Sequence, residues 1–106
     1  MKTTVDTAQA AKALSALGHE ARLSLYRLLV RAGEGGLNVG EISAQLDMPS
    51  STLAHHLKAL VDAGLVVQEK QGREVVNRPD FDMMRATMSF LSEECCTGGV
   101  LKVDAA

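Results

Sequence analysis

The feature of this sequence that most constrains its fold is an apolar stripe near its middle, bounded by two turn signals. Aliphatic residues recur there at i, i+4, i+7 and i+8, which is the spacing of one face of an α-helix. They are Leu53, Leu57, Leu60 and Val61. Ser50 is a good N-cap ahead of the stripe, and Gly64 can end the helix behind it. We therefore predict a helix over residues 50–63, with one face in a core and the other in solvent.

A shorter helix is predicted just before this one. Asn38 can cap a helix from about Val39 to Leu46, in which the apolar residues again share one face. The segment Asp47-Met48-Pro49 then breaks the helix, because proline lacks an amide hydrogen and disfavours helical geometry in the preceding residue. Two helices joined by about three turn residues are typical of a helix-turn-helix unit.

The rest of the chain predicts two helices before this unit, and a β-hairpin and a final helix after it. The hairpin has strands over Leu65–Lys70 and Arg73–Arg78, with Gln71-Gly72 as the turn. The other helices are expected over about Thr7–Leu17, over about His19–Arg31, and from the cap Asp80 to about Cys96. The predicted fold is mainly α with a small β-hairpin, a winged helix-turn-helix in the order ααααββα.

Length and composition bound the class of protein. The chain of 106 residues has room for one domain, which we expect over residues 1–106. It contains neither a signal-peptide pattern nor an apolar run near the roughly 20 residues that span a bilayer, so we expect a cytoplasmic protein without a membrane partner. An enzyme is not expected, because no nucleophile–base pair, phosphate loop or metal triad is apparent. The net charge of −2 requires any DNA-binding surface to be a local patch.

The polar side of the predicted helix over residues 50–63 carries side chains that can bind DNA. Serine, threonine and histidine can hydrogen-bond to base edges or phosphates, and lysine supplies positive charge. The candidate DNA-binding residues, two of them in the hairpin, are Ser50, Ser51, Thr52, His55, His56, Lys58, Lys70 and Arg73. The alternative is an ordinary solvated helix face, but the neighbouring turn and hairpin favour DNA binding. His55 and His56 point about 100° apart on a helix, so they are poor joint ligands for one metal ion. Of the two, His55 is the stronger candidate for DNA contact, and a flanking or partly packed position is expected for His56.

The final helix carries a narrow apolar seam of the kind that pairs with another helix. Its members fall at alternating spacings of three and four residues, and Cys95 would continue the series. They are Phe81, Met84, Met88 and Leu91. In a domain this small the expected partner is a second copy, so we predict a homodimer through the first and last helices. Such a dimer would present two recognition helices to a pair of DNA half-sites.

Most of the chain resembles the ArsR family of winged helix-turn-helix repressors. The matching segments are residues 16–31, 37–65 and 66–81. The most specific stretch runs from Pro49 to Leu65, with its His-His-Leu-Lys and its terminal Ala-Gly-Leu. Ala54 and Asn77 depart from the family pattern, in which serine and tyrosine are common. The resemblance implies a homodimer that represses its own operon and leaves its double-stranded operator DNA when an inducer binds.

The adjacent cysteines Cys95 and Cys96 form the candidate inducer site. Cys95 could instead be a small buried residue of the seam, and both the helix C-terminus and the neighbouring glutamates would raise the thiol pKa values. The ending Glu94-Cys95-Cys96 resembles that of family members that sense trivalent arsenic. This resemblance implies arsenite or methylarsenite as the inducer, with no obligatory cofactor. Such sensors generally use three thiolates, whereas two thiolates would saturate methylarsenite and leave arsenite with an oxygen ligand.

Two alternatives stay open at this point. The first keeps the fold and makes the cysteine pair a redox or reactive-sulfur switch, although a disulfide between adjacent residues closes a strained ring. The second is a winged-helix module that binds other proteins and not DNA, which the acidic net charge permits. Salt-dependent DNA binding would exclude the protein-interaction module. Mass spectrometry after oxidant treatment would separate the redox switch from arsenic binding.

Overall fold

The computed structural model describes residues 3–98 and confirms the predicted order of helices and hairpin. The helices are α1 (Thr7–Leu17), α2 (Glu20–Ala32), α3 (Val39–Leu46), α4 (Ser50–Asp62) and α5 (Phe81–Ser92). The strands are β1 (Leu37–Asn38), β2 (Val66–Gln71) and β3 (Glu74–Pro79), which form one antiparallel sheet in the order β1-β3-β2. None of the helices within residues 3–98 is long and apolar enough to cross a membrane.

An aliphatic core joins the helices. The predicted stripe of α4 faces this core, with Leu53, Leu57 and Leu60 buried and Val61 partly buried. Each fully buried leucine stabilises the fold by about 1.5–3 kcal/mol relative to an exposed one. The buried residues of α1 are all alanines, which allows the backbone of α1 to lie close to its neighbours. The core therefore fixes which side of α4 faces outward.

The start of α4 differs from the prediction. Ser50 is the first helical residue, and the N-cap position belongs to Pro49, whose side chain makes no capping hydrogen bond. Pro49 has φ −59° and ψ 146°, an extended conformation that the proline ring favours. The ring therefore directs the chain into the helix without a hydroxyl cap. The capping role assigned to Ser50 is wrong, although its side chain is exposed on the first turn of α4.

The end of α5 also differs, because the helix stops at Ser92, about one turn earlier than predicted. Glu93 and Glu94 would place two negative charges at the negative end of the helix dipole. Glu93 adopts an extended ψ of 135°, and Glu94 takes a left-handed φ of 61°. Cys95 thus lies outside the helix and is exposed. The interpretation of Cys95 as a continuation of the helical seam is therefore wrong, and within a single chain Cys95 is not a buried residue.

A strand that the sequence analysis missed, β1, extends the hairpin to three strands. It pairs Leu37 with Asn77 and Asn38 with Val76. The Nδ2 of Asn77 donates to the carbonyl oxygen of Leu37 at 3.2 Å, and its Oδ1 accepts from Nε2 of Gln68 at 2.9 Å. Asn77 is fully buried, so these bonds satisfy both ends of an amide that has lost its contact with water. Asn77, at the position where the sequence departs from the family pattern, therefore connects all three strands through its side chain.

The hairpin turn lies one residue later than predicted. Gln71 pairs with Glu74, so the two-residue loop is Gly72-Arg73. Gly72 takes a positive φ of 65°, which a glycine in the first position of a short hairpin loop adopts easily. As a result Arg73 lies at the tip of the hairpin.

Replacing Gly36 by alanine should destabilise the protein. Gly36 has φ 68° and ψ −178°, and an added Cβ would lie 2.5 Å from Cγ1 of Val76 and 2.7 Å from the carbonyl oxygen of Asn77. Backbone strain alone should cost about 1–3 kcal/mol. Gly35→Ala is the matched control, because a Cβ there meets no atom within 4 Å. Urea unfolding should show a clear loss for the first variant only, and equal stabilities would contradict this role of Gly36.

Candidate nucleic-acid interface and thiol site

The turn between α3 and α4 is held by local hydrogen bonds. Asp47 ends α3 in a left-handed conformation, with φ 51°, which aspartate tolerates better than most residues. The amide of Met48 donates to the carbonyl oxygen of Ser43 at 3.3 Å, and Oγ of Ser43 donates to the carbonyl oxygen of Met48 at 2.6 Å. These bonds set the direction in which the chain enters α4.

The outward face of α4 presents most of the candidate DNA-binding side chains. Exposed side chains on this helix are Ser50, Ser51, Thr52, His55 and Lys58. Nζ of Lys58 lies 3.0 Å from a carboxylate oxygen of Asp62, one turn further along, and the Lys58 side chain is 75% exposed. An exposed pair of this kind contributes little to stability, so Lys58 can exchange Asp62 for a DNA phosphate. These assignments remain predictions.

His56 departs from the predicted interface, because only 7% of it is exposed. It faces into the protein, with its ring centroid 4.9 Å from that of His19. The assignment of His56 to DNA contact is therefore wrong, since a buried ring cannot reach a base edge. His56 lies between the apolar stripe and the outward polar face of α4, and the fold places this flanking position on the inner side of the helix.

The surroundings of His56 oppose its protonation. Burial, which disfavours the charged form, is the main cause that lowers the pKa of His56, and repulsion from His19, Arg22 and His55 lowers it further. Nδ1 of His56 is buried without a hydrogen-bond partner. No sequence pattern predicts that His19 lies near α4. Nδ1 of His19 accepts a hydrogen bond from the amide of Ala21 at 3.2 Å and so caps α2.

The hairpin formed by β2 and β3, here called the wing, is hydrogen-bonded to the helix-turn-helix and carries two exposed basic residues. Lys70 lies on β2 and Arg73 in the loop. At the base of the loop, Nδ2 of Asn38 donates to Oε1 of Glu74 at 3.0 Å, which connects the cap of α3 to β3. The tip of the wing is therefore held in a defined position relative to α3.

The two thiols lie together in a tight turn after α5. Cys95 and Cys96 are both exposed, and their Sγ atoms are 2.9 Å apart. The amide of Cys95 donates to the carbonyl oxygen of Ser92 at 3.0 Å, and Cys96 has a left-handed φ of 66°. The hydrogen bond between the thiol of Cys95 and the sulfur of Cys96 favours the neutral form of Cys95 and is the main cause that raises its pKa. Within residues 3–98 no group of three or more His, Cys, Asp or Glu side chains could hold a metal ion.

The predicted seam on α5 is incompletely covered by the rest of the chain. Met88 and Leu91 are each 63% exposed, and Phe81 and Met84 are partly buried. Met84, Met88 and Leu91 border an apolar groove of about 350 Å³ between α1, α2 and α5, whereas Phe81 does not. The buried residue of α5 is Thr87, whose hydroxyl donates to the carbonyl oxygen of Met83 at 2.8 Å. The seam therefore remains available for a partner.

Comparisons with known proteins agree with this architecture. A family model for a helix-turn-helix domain matches residues 17–69. A candidate arsenical resistance operon repressor, ArsR, from Halobacterium salinarum is 45% identical over 60 residues, which are 57% of this chain and 46% of that protein. The chain thus spans just under half the length of this relative.

Two further proteins match over most of their lengths. The transcriptional activator HlyU from Vibrio cholerae is 30% identical over 86% of this chain and 82% of its own. The solution structure of a homodimeric winged helix-turn-helix DNA-binding domain from Mycobacterium bovis, a possible ArsR-family regulator, superposes with a TM-score of 0.66. It is 25% identical and is covered over 94% of its length by 91% of this chain.

The buried histidine predicts a pH dependence of stability. The pKa of His56 is lower in the folded chain than in the unfolded chain, where it is about 6.5. The contribution of neutral His56 to the free energy of unfolding is therefore fully present above pH 6.5. It is lost as the pH falls through the lower pKa of the folded chain. Unfolding titrations from pH 8 to pH 5 should show this loss in the native protein and in His55→Gln. His56→Leu should flatten this part of the profile, and an unchanged slope in that variant would contradict the assignment.

Proposed function

This chain belongs to the ArsR family of winged helix-turn-helix transcriptional regulators, and on that basis we propose that it is a homodimeric operator-binding repressor that trivalent arsenicals release. The observation that carries the inducer assignment is the contact between the exposed sulfurs of Cys95 and Cys96, 2.9 Å apart. In this proposal the chain acts as a single domain in the cytoplasm and needs no cofactor to bind DNA.

The outward face of α4 supports insertion of this helix into the major groove. Ser51, Thr52 and His55 are exposed there and can read base edges or bind phosphates. Lys58 on α4, together with Lys70 and Arg73 on the wing, supplies the positive charge that an acidic chain needs at its DNA surface. Binding is therefore expected to depend on a small number of phosphate contacts.

The apolar seam supports a two-fold dimer. Met88 and Leu91 are too exposed to stabilise a single chain, whereas packing against the same residues of a second copy would remove them from water. The homodimeric M. bovis relative supports the same assembly. In such a dimer the two copies of α4 would bind two successive half-sites of the operator.

The thiols can bind methylarsenite by simple exchange. Each of its two As–O bonds would be replaced by an As–S bond to Cys95 or Cys96, and each displaced hydroxyl would leave as water with a thiol proton. Arsenite would react in the same way and keep one hydroxyl. The strength of As–S bonds would offset the cost of deprotonating thiols beside two glutamates.

A direct path connects the thiols to α4. The thiol turn follows α5, and at the other end of α5 the amide of Asp80 donates to the carbonyl oxygen of Leu65 at 2.8 Å, just after α4. A shift of α5 on ligand binding would thus change the angle between the two recognition helices. A coupling of about 1–3 kcal/mol would reduce operator affinity about 5- to 150-fold.

A redox-responsive repressor of the same fold is the second candidate. The same short distance between sulfurs would favour reaction with an oxidant as well as with arsenic. Intact mass spectrometry after exposure to each reagent would distinguish an arsenic adduct from an oxidised pair.

Replacing Lys58 by glutamine should weaken operator binding. The loss of one phosphate contact should reduce the slope of log affinity against log salt concentration by about 0.9 for each helix. Fluorescence anisotropy with DNA from upstream of the gene for this chain would measure both quantities. Lys12→Gln is the matched control, because the Lys12 side chain is exposed on α1, away from α4 and the hairpin in the sequence. Equal affinity and slope in all three proteins would contradict the DNA-binding assignment, and the absence of salt-dependent binding would favour the protein-interaction module.

Replacing both cysteines by serine should separate repression from induction. Cys95→Ser with Cys96→Ser should bind the operator like the native protein but should no longer be released by methylarsenite. The native protein and Ser89→Ala, an exposed control on α5, should lose affinity about 5- to 150-fold. Release of the double variant by the arsenical would show that the sensing site lies elsewhere.

A further inference from the structure

The three histidines of this chain lie side by side where α2 contacts α4. The ring centroids of His19 and His56 are 4.9 Å apart, and those of His55 and His56 are 5.5 Å apart. His19 is the N-cap of α2, whereas the other two belong to α4. Histidine is the side chain whose charge ordinarily changes between pH 5 and pH 8. The groups of this chain that respond to mild acid are therefore concentrated at one contact between helices.

The groups that face His56 cannot compensate a positive charge on its ring. Burial is the main cause that lowers the pKa of His56, followed by repulsion from His19, Arg22 and His55. No carboxylate among residues 3–98 opposes this repulsion. The buried residues of α1, which also packs against α4, are all alanines. Because Nδ1 of His56 is buried without a hydrogen-bond partner, a protonated ring at this position would be an unpaired buried charge.

The two neighbours of His56 at the start of α2 are held in place by backbone groups. Nε of Arg22 donates to the carbonyl oxygen of Ala16 at 2.7 Å, which anchors the guanidinium to the last turn of α1. Nδ1 of His19 accepts from the amide of Ala21 at 3.2 Å. Moving either side chain away from His56 would break one of these bonds. The repulsion is therefore relieved more readily by a movement of α4.

A rotation of α4 about its own axis would not serve, because His56 shares the inner side of the helix with core leucines. Leu53 and Leu60 lie one turn before and one turn after His56, and both are fully buried. Rotating the ring into water would therefore draw these leucines out of the core. Opening the contact between α4 and the start of α2 would bring the ring to water without that loss.

We propose that the contact between His19 and His56 is a proton-sensitive switch, in which protonation of His56 moves α4 away from the start of α2 and releases the operator in mild acid. The proposal rests on the DNA binding of the proposed function but not on its inducer. The proton comes from the solvent, and no other bond changes. Proton binding and DNA binding then oppose each other, because they favour different positions of α4.

His55 acts in the opposite direction. It is exposed on the outward face of α4, where a proton would add positive charge beside the DNA phosphates. The native protein therefore combines two opposed effects of pH on operator affinity. His55→Gln removes the second effect, so it is the background in which the switch is measured.

Fluorescence anisotropy with operator DNA at about pH 7.5 and about pH 5.5 tests the switch. The affinity of His55→Gln should fall about fivefold or more on acidification. Adding His56→Leu should remove this fall. Adding His19→Asp should also remove it, because a carboxylate beside His56 stabilises the charged ring in place. His19→Asn is the matched control and should keep the fall, since asparagine and aspartate are equally good N-caps and differ in charge.

Three results would overturn the proposal. They are an affinity of His55→Gln that does not change with pH, a fall that persists after His56→Leu, and equal behaviour of the His19→Asp and His19→Asn chains. Tight binding at both pH values would contradict the switch alone. Absence of operator binding even at about pH 7.5 would contradict the proposed function, and the switch with it.

NMR on the native protein without DNA tests the movement itself. The rings of His19 and His56 are close enough for a nuclear Overhauser effect between their imidazole protons at about pH 7.5. This effect should disappear at about pH 5.5 while circular dichroism shows an unchanged helix content. Its persistence after His56 has titrated would overturn the proposal. So would its loss together with the helical signal, because acid would then unfold the whole chain.

Discussion

Burial of the leucines of α4 is the interaction on which the rest of this structure depends. Leu53, Leu57 and Leu60 enter the aliphatic core and thereby fix the rotation of the helix about its axis. That rotation exposes His55 and Lys58 and turns His56 inward. Leu65 and Val66, where the hairpin begins, belong to the same core. An acidic chain can thus present a basic, hydrogen-bonding face without being basic as a whole.

Sequence periodicity predicted the helices well because the spacing of apolar residues along a helix is a local property. The bounds of α1 and α3 were predicted to the residue. The short strand β1 was missed because it has two residues and depends on a partner far along the chain, around Asn77. The start of α4 and the end of α5 were misjudged because backbone conformations at Pro49 and Glu94 outweighed the residue patterns around them.

The site could be predicted only in part, because the surroundings of a side chain depend on elements that are distant in the sequence. A helical wheel identifies the outward face of α4 but cannot decide a flanking position such as His56, whose environment includes His19 from another helix. The pairing of Cys95 with Cys96 follows from the sequence, whereas their exposed turn does not. The apolar groove becomes visible only when α1, α2 and α5 are placed side by side.

In the proposed complex the outward face of α4 contacts DNA, whereas its inner face does not. The three histidines of this chain report on both faces in one experiment, because imidazole proton resonances can be followed by NMR during titration with operator DNA. We expect the His55 resonances to shift on binding, whereas those of buried His56 and of its neighbour His19 should change little. A tight complex in which His55 is unaffected, or in which His56 shifts most, would contradict it.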